Sequence, residues 1–432
     1  MTVIPLRSSV PARLLITGVA LADGTTTDIF VDHEVFADPA DAPDDVERID
    51  GTGLVALPGL VDPHVHLREP GREDAETIRT GTAAAARGGF TAVQAMANTT
   101  PVTDTADVAR EVAGIAAEQG ACEVVVCGAI TKGLAGEQLA ELGLIHRATG
   151  TQCFSDDGMC VADPQVMRRA FEYVRAFDGV LAQHAQDPRL AGPDACCHEG
   201  EVSGKLGLGG WPVAAETTIV ARDVELAALT GARYHVCHVS ARETLDVIRA
   251  AKARGVRITA EATPHHLLLT TDLLTGYDTT FKVNPPLRTA EHVEALRQAV
   301  ADGTVDMIAT DHAPHAPQDK DHAFVDARPG MVGLEQSLAV VVDTLLTPGL
   351  LDWEGVADRM SYAPAKLLGL AGQGRPVAPG EPANLCLVDP SARRTVDPAD
   401  TASLSRNNPY AGRDLPDPVR LTVCRGHVTY RR

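Results

Sequence analysis

Nothing in the 432-residue sequence approaches the roughly 18 consecutive apolar residues of a membrane-spanning helix, so no membrane span is expected. The first residues lack the charged start and long apolar run of a signal peptide. Basic residues are outnumbered: 38 Lys and Arg against 58 Asp and Glu leave a net charge of -20, which argues against nucleic acid as a partner, since that needs a basic face. An anionic small molecule stays admissible, because a local Arg outweighs a distant acidic surface. The nine cysteines form no regular framework and no Cys-x-x-Cys pair. Cys196-Cys197-His198 reads as thiols beside a loop rather than as a metal site. These absences lead to a reduced, cytoplasmic protein as the expectation. With 22% charged and 44% apolar residues, the chain is composed like an ordinary globular protein.

The apolar residues that are present fall in a pattern. Residues 1–53 hold short strand-like pieces, Leu14-Leu15-Ile16 and Thr27-Asp28-Ile29-Phe30-Val31 among them. From Leu54 on, β-rich runs alternate with longer helical ones. The strand runs are 54–61, 90–96, 123–127, 152–155, 180–183, 234–237, 256–260 and 306–310. Between and after them the helical stretches are 74–88, 104–119, 134–148, one opened by Asp163-Pro164, then 213–230, 241–254, 289–301 and 333–346. Asp163 reads as an N-cap with Pro at the first helical position, and Met167, Phe171, Val174 and Phe177 follow at core-facing spacing. Eight strand-helix units in succession predict an α/β fold, a (β/α)8 TIM-type barrel. Residues 375–432 return to short β runs. Neither β-rich end has length enough for much of a core, so both are expected to join in one small β-sandwich domain. The expected domains are therefore 1–53 and 375–432 for that unit and 54–374 for the barrel.

Barrel enzymes place their chemistry at the C-terminal ends of the strands. Here the first run leads into Asp62-Pro63-His64-Val65-His66-Leu67-Arg68. Residues two apart on an extended segment point the same way, so His64 and His66 project together and Arg68 continues the period. Converging imidazoles suit zinc, and a planar, permanently charged donor beside them suits a carboxylate. His-x-His alone is common and decides nothing. The other strand ends decide: Asp156-Asp157 after the fourth, His184 after the fifth, His238 after the sixth, Asp311-His312 and then His315 after the eighth. Six ligand candidates exceed one tetrahedral zinc and suit two ions bridged by a carboxylate and a hydroxide. Two ions that polarise a carbonyl and activate water point to hydrolysis of an amide-like bond.

At these residues the sequence resembles the dihydroorotases of the amidohydrolase superfamily. The resemblance is carried by Asp62-Pro63-His64-Val65-His66-Leu67-Arg68-Glu69-Pro70-Gly71, Met96-Ala97-Asn98-Thr99, Phe154-Ser155-Asp156-Asp157-Gly158, Asn284-Pro285-Pro286-Leu287-Arg288, and Ala309-Thr310-Asp311-His312-Ala313-Pro314-His315. It implies two zinc ions per chain, one on His64, His66 and Asp311, the other on His184 and His238, bridged by Asp157 and a hydroxide. It further implies that Arg68, Asn98 and His315 bind the substrate carboxylate, that His66 also faces the substrate, that Asn284 contacts the ring, and that Pro329 and Gly330 belong to a loop touching the substrate. Ala97 stands where many relatives have Pro, and Pro329 where some have Phe, which bears on loop fit.

The implied reaction is the reversible interconversion of N-carbamoyl-L-aspartate and (S)-dihydroorotate plus water, in pyrimidine biosynthesis, with Asp311 carrying the proton. Association with a second copy of the chain or with aspartate carbamoyltransferase belongs to the same expectation. Dihydropyrimidinases, hydantoinases and allantoinases share the barrel and the His-x-His, but typically carry a modified Lys as the bridging ligand. The stretch Gln152-Cys153-Phe154-Ser155-Asp156-Asp157 contains no Lys. A non-catalytic, dihydroorotase-like partner subunit would usually have lost ligands, and all six are present.

Overall fold

The computed structural model describes Leu6 and residues 9–432. Five strands open the chain: β1 (Arg13–Leu21), β2 (Thr26–Asp32), β3 (Val35–Ala37), β4 (Glu47–Asp50) and β5 (Val55–Pro58). The central region follows with β6 (Leu60–Val65), β7 (Phe90–Ala95), β8 (Glu123–Val126), β9 (Cys153–Ser155), β10 (Val180–Gln183), a small pair β11 (Ala195–His198) and β12 (Gly209–Trp211), then β13 (Arg233–Val236), β14 (Ile258–Ala262) and β15 (Met307–Ile308). The chain ends in β16 (Leu385–Val388), β17 (Arg393–Thr395), β18 (Asp414–Pro416), β19 (Val419–Cys424) and β20 (His427–Arg431).

In the centre, β6, β7 and β8 form one parallel sheet, and β9, β10, β13, β14 and β15 form another. Single parallel bridges join their edges, Gly128 to Phe154 on one side and Val65 to His312 on the other. Eight parallel strands thus follow one another in chain order, as the alternating pattern predicts. Buried side chains such as Val65, Val93, Phe154, Leu181, Val236 and Ile308 pack with the surrounding helices into the main core. The helix Pro164–Val174 shows how locally this is encoded. The Asp163 carboxylate accepts the N–H groups of Gln165 and Val166, Pro164 fills the first turn, and Met167, Phe171 and Val174 are buried.

Both chain ends meet in one eight-stranded sheet, ordered β20-β19-β16-β5-β1-β2-β3 with β4 beside β1. The apolar run at 54–61 therefore splits into two strands instead of one. Gly59 N donates to Asn384 O at 3.0 Å while Leu60 N donates to Gly89 O at 3.1 Å, so the chain changes sheets at Gly59. The helix expected at 134–148 begins only at Leu142. Before it, Thr131 and Leu139 form an antiparallel bridge, because Thr131 is already tied to Asp156. The β11–β12 pair and a helix at Trp353–Ala357 have no counterpart in the sequence reading. All nine cysteines are free, and among the described residues no helix is long and apolar enough to cross a membrane.

The hairpin between β19 and β20 turns through Arg425-Gly426, both at positive φ, a two-residue turn of the kind that favours glycine second. Gly426 N bonds Ala383 O at 2.9 Å and Gly426 O receives Ala12 N at 2.7 Å, so this turn ties the two chain ends together. A Cβ at Gly426 would lie 1.7 Å from His33 O. Gly426→Ala is expected to cost about 2–5 kcal/mol of stability, from left-handed strain plus overlap. Chemical denaturation checks this; an unchanged midpoint would mean that the turn does not tie the ends.

Candidate active site

Every ligand candidate lies at or just past a strand end. His64 is on β6; His66 follows it and donates its N–H to His312 O at 2.9 Å. The buried Asp62 carboxylate accepts His64 N and Thr310 N, each at 3.1 Å, and so clamps β6 to the segment after β15. Asp157 comes two residues after β9, His184 directly after β10, His238 two residues after β13, and Asp311 three after β15. His238 and Asp311 sit at φ 31° and 45°. Left-handed backbone at non-glycine residues is costly and clusters at functional positions. Arg68 does not continue the strand period: at φ 61° the chain has already turned, and the turn itself brings the side chain to the cavity.

The donor atoms converge. Asp157 Oδ1 lies 3.2 Å from His64 Nε2, 3.2 Å from His238 Nε2 and 3.5 Å from His184 Nδ1, while its Oδ2 lies 3.2 Å from His66 Nε2. Asp311 Oδ1 is 3.0 Å from His66 Nε2 and 3.6 Å from His64 Nε2. Among the described residues three groups of metal-competent atoms arise, each with its atoms within 4.8 Å of one another; the third is His64 with Cys237 and Glu261, and the two donor groups that face the cavity are His64, His66, Asp157 and Asp311 in one and Asp157, His184 and His238 in the other. Asp156 turns away and accepts Ile130 N at 2.7 Å and Thr131 N at 2.9 Å.

This donor set fits metal ions. Among the described residues, the buried His64 Nε2 has no hydrogen-bond partner. His184 Nδ1 and His238 Nε2 face each other at 2.9 Å, where two lone pairs would repel without a proton or a cation between them. The outer nitrogens are held in the tautomers that ligation requires. His64 Nδ1 donates to Glu261 Oε1 at 2.6 Å, His66 Nδ1 to Asn98 Oδ1 at 2.9 Å, and His184 Nε2 to Gln186 Oε1 at 2.8 Å. Burial works to raise the Asp157 carboxyl, but the His64 charge and hydrogen bonds from His184 and His238 outweigh it and hold it well below the usual range. Asp311 is likewise lowered against its burial, by His66 and His64. Asp156, buried without such neighbours, is pushed up to about 6.

Beside the imidazoles lies a cavity of about 190 Å³ lined by His66, Arg68, Asn98, Asp157, His184, Asn284, Asp311, His315, Pro329 and Gly330. Thus the whole set expected to face substrate is brought together, and Gln186 lies beside it. Arg68 Nε donates to Pro314 O at 3.1 Å, which leaves its terminal N–H groups for a ligand. Burial and the Arg72 charge lower Arg68 to about 10, so it stays charged at neutral pH. His315 Nε2 donates to Pro329 O at 2.8 Å, while its buried Nδ1 and the Asn284 Oδ1 have no hydrogen-bond partner among the described residues. A side chain at Gly330, φ 143°, would approach His315 Nε2 to 2.7 Å, so glycine there sets how closely the two loops pack.

Sequence reasoning missed Glu261, Gln186, Arg328 and Asn407. Glu261 holds His64, receives His235 Nε2 at 3.0 Å and takes His238 N at 3.2 Å. Its signal was a charged residue directly after the seventh strand run, within the observed β14. Gln186 Oε1 also accepts Asn284 Nδ2 at 3.1 Å, and so links a metal-facing ring to the far cavity wall. Arg328 lines the cavity next to Pro329. Cys196 and Cys197 stay outside both donor groups, and His198 Nδ1 instead accepts Arg288.

Comparisons with known proteins agree in kind. A family model described as dihydro-orotase-like matches residues 53–244, and the amidohydrolase family model matches residues 214–429. A dihydroorotase of Streptomyces coelicolor is 54% identical over 421 residues, covering 97% of this chain and 98% of its own. One from Mycobacterium tuberculosis is 51% identical over 424 residues, with the same coverage of 97% and 98%. Among solved structures, an L-hydantoinase from Arthrobacter aurescens superposes with a TM-score of 0.85 at 25% identity over 97% of this chain and 96% of its own. A dihydropyrimidinase from Brevibacillus agri gives 0.84 at 22% identity over 97% and 95%; at that identity the likeness speaks to the TIM-barrel fold alone.

The two adjacent aspartates give a direct test. Asp157→Asn is expected to remove most of the bound metal per chain, and Asp156→Asn much less, by elemental analysis of the purified variants. Greater loss from Asp156→Asn would reverse the assignment.

Proposed function

The chain belongs to the dihydroorotase-like amidohydrolases, and from that membership we propose how its residues divide the work. Its activity is that of a dihydroorotase: the reversible interconversion of N-carbamoyl-L-aspartate and (S)-dihydroorotate plus water, in pyrimidine biosynthesis. The metals are zinc, two per chain. His64, His66 and Asp311 would hold one and His184 and His238 the other, with Asp157 shared between the two sets. The observation that carries this reading is that Asp157 alone belongs to both donor groups. When bound, the two ions supply a charge that polarises the ring carbonyl and lowers the pKa of a water to about 7.

The remaining roles belong to side chains. Arg68 offers its free terminal N–H groups to the substrate carboxylate, with Asn98 and His315 beside it. Asn284, oriented by Gln186, faces the ring, and Pro329 and Gly330 close over it. Asp311 takes a proton from the attacking water and delivers it to the ring nitrogen as the C–N bond breaks. In the reverse direction the same carboxylate returns the proton while water leaves. The absence of Lys from 152–157 disfavours the hydantoinase type, whose bridge is typically a modified Lys. In the same reading, residues 1–53 and 375–432 make a small β-sandwich beside a barrel at 54–374, with β5 drawn into that terminal sheet. The enzyme is cytoplasmic, as its free cysteines support, and associates with a second copy or with aspartate carbamoyltransferase.

Arg68→Lys keeps the charge and loses the fork, so kcat/KM for dihydroorotate is expected to fall about 10- to 100-fold with metal content unchanged. Near-normal turnover would remove Arg68 from carboxylate recognition. Asp311→Asn still offers a metal an oxygen but shuttles no proton at neutral pH. It should retain substantial metal and lose about 100-fold or more of kcat in both directions. A variant that kept both metal and turnover would end the proton role.

A further inference from the structure

Behind the pocket wall lies a buried polar side chain to which the mechanism gives no role, and it comes from the other end of the chain. Asn407 is 6% exposed and lies in the C-terminal segment between β17 and β18. Its Oδ1 accepts His315 N at 3.2 Å. Its Nδ2 donates to Ala313 O at 3.0 Å and to Gly330 O at 3.1 Å. Partner chemistry fixes which way the amide points, since one neighbour is an N–H and two are carbonyls.

The location makes these bonds matter. Ala313 N donates to Met331 O at 2.7 Å, a main-chain tie after which the two loops part around the cavity until Arg328 N meets Asp319 O at 3.0 Å. Beyond it, Ala313 O and Gly330 O are buried acceptors with no main-chain donor within reach of that ladder, and the Asn407 amide satisfies both. The segment is itself anchored. Ser403 Oγ and Leu404 N reach Glu76, the latter at 3.0 Å, and Ser405 Oγ donates to Ala75 O at 2.6 Å. Glu76 in turn meets His312 Nε2 at 3.3 Å. Asn407 O accepts Val332 N at 3.1 Å.

We propose that Asn407 is a positioning residue for the reaction: from the C-terminal segment it locks the His315 loop to the Pro329-Gly330 loop and so sets affinity for the carboxylate-bearing substrate. This rests on the reading that those two loops form the substrate wall. Asn407→Asp is the sharpest probe, because it keeps the shape and the acceptor for His315 N but replaces both donations with a carboxylate facing two carbonyls.

Asn407→Asp and Asn407→Ser are compared with the unaltered enzyme in dihydroorotate hydrolysis and N-carbamoyl-L-aspartate cyclisation, with metal per chain and thermal unfolding measured alongside. Asn407→Asp is expected to raise KM about tenfold in both directions, with kcat within about threefold and metal per chain unchanged. Asn407→Ser, which retains one donor, should fall between, and it carries the test if the Asp variant does not fold. A lowered unfolding temperature with KM unchanged would overturn the proposal, leaving Asn407 a purely structural residue. Metal loss in step with activity would overturn it too. Arg68→Lys run in parallel separates the two levels: if it also leaves kinetics untouched, the substrate-wall reading fails; if only the Asn407 variants do, the positioning role alone fails.

Discussion

The structure hangs on one buried carboxylate. Asp157 is 4% exposed and meets four imidazoles, from β6, its sequel, β10 and β13, at 3.2 to 3.5 Å. A buried charge is tolerated only when paired and hydrogen-bonded, since the effective desolvation cost is several kcal/mol. Four strand ends must therefore arrive together for this group to be acceptable at all. Neighbouring acids reinforce the arrangement. Glu261 steadies His64, His235 and His238, and Asp62 joins β6 to the strand across the closure. The same carboxylate that organises the barrel mouth is the one common to both donor groups.

Much of this was legible because it is local. Strand runs show as apolar pieces at regular intervals, and a His or Asp at their C-terminal ends needs only strand placement to be recognised. Asp157 over Asp156 rested on the resemblance; in the structure Asp157 stands among the rings, while Asp156 caps the N–H groups of Ile130 and Thr131. What escaped was non-local. Glu261 lies 197 residues from His64, and Asn407 lies 92 from His315, so no spacing rule links them. Arg68 was placed by strand parity and reached the cavity by a left-handed turn, a conformation that periodicity does not anticipate for arginine. The split of the run at 54–61 escaped for the same reason, since its partners, Asn384 and Gly89, lie elsewhere in the chain.

The site is also less separable from the terminal sheet than a two-domain description suggests. β5 runs into β6 through Gly59 alone, so the first metal-facing strand continues from a strand paired with β1 and β16. Thr422 Oγ1 donates to Ala86 O at 2.7 Å, and the Cys424 thiol lies 3.2 Å from Thr91 O, which seats β19 against the helix Ile78–Arg87 and β7. The terminal sheet thus braces the starts of β6 and β7, at the end opposite the ligand candidates, none of which sits on it.

That sheet has a bearing on how the enzyme comes into being. A ribosome releases the eight barrel strands, with every metal-facing residue, before it releases Asn407 or the β19–β20 hairpin. Until those last residues emerge, β16 has no β19 partner and the Ala313 and Gly330 carbonyls have no amide to bind. A nascent or prematurely terminated chain would then carry the ligands without the finished pocket. Catalytic competence would be the last property this polypeptide acquires during its synthesis.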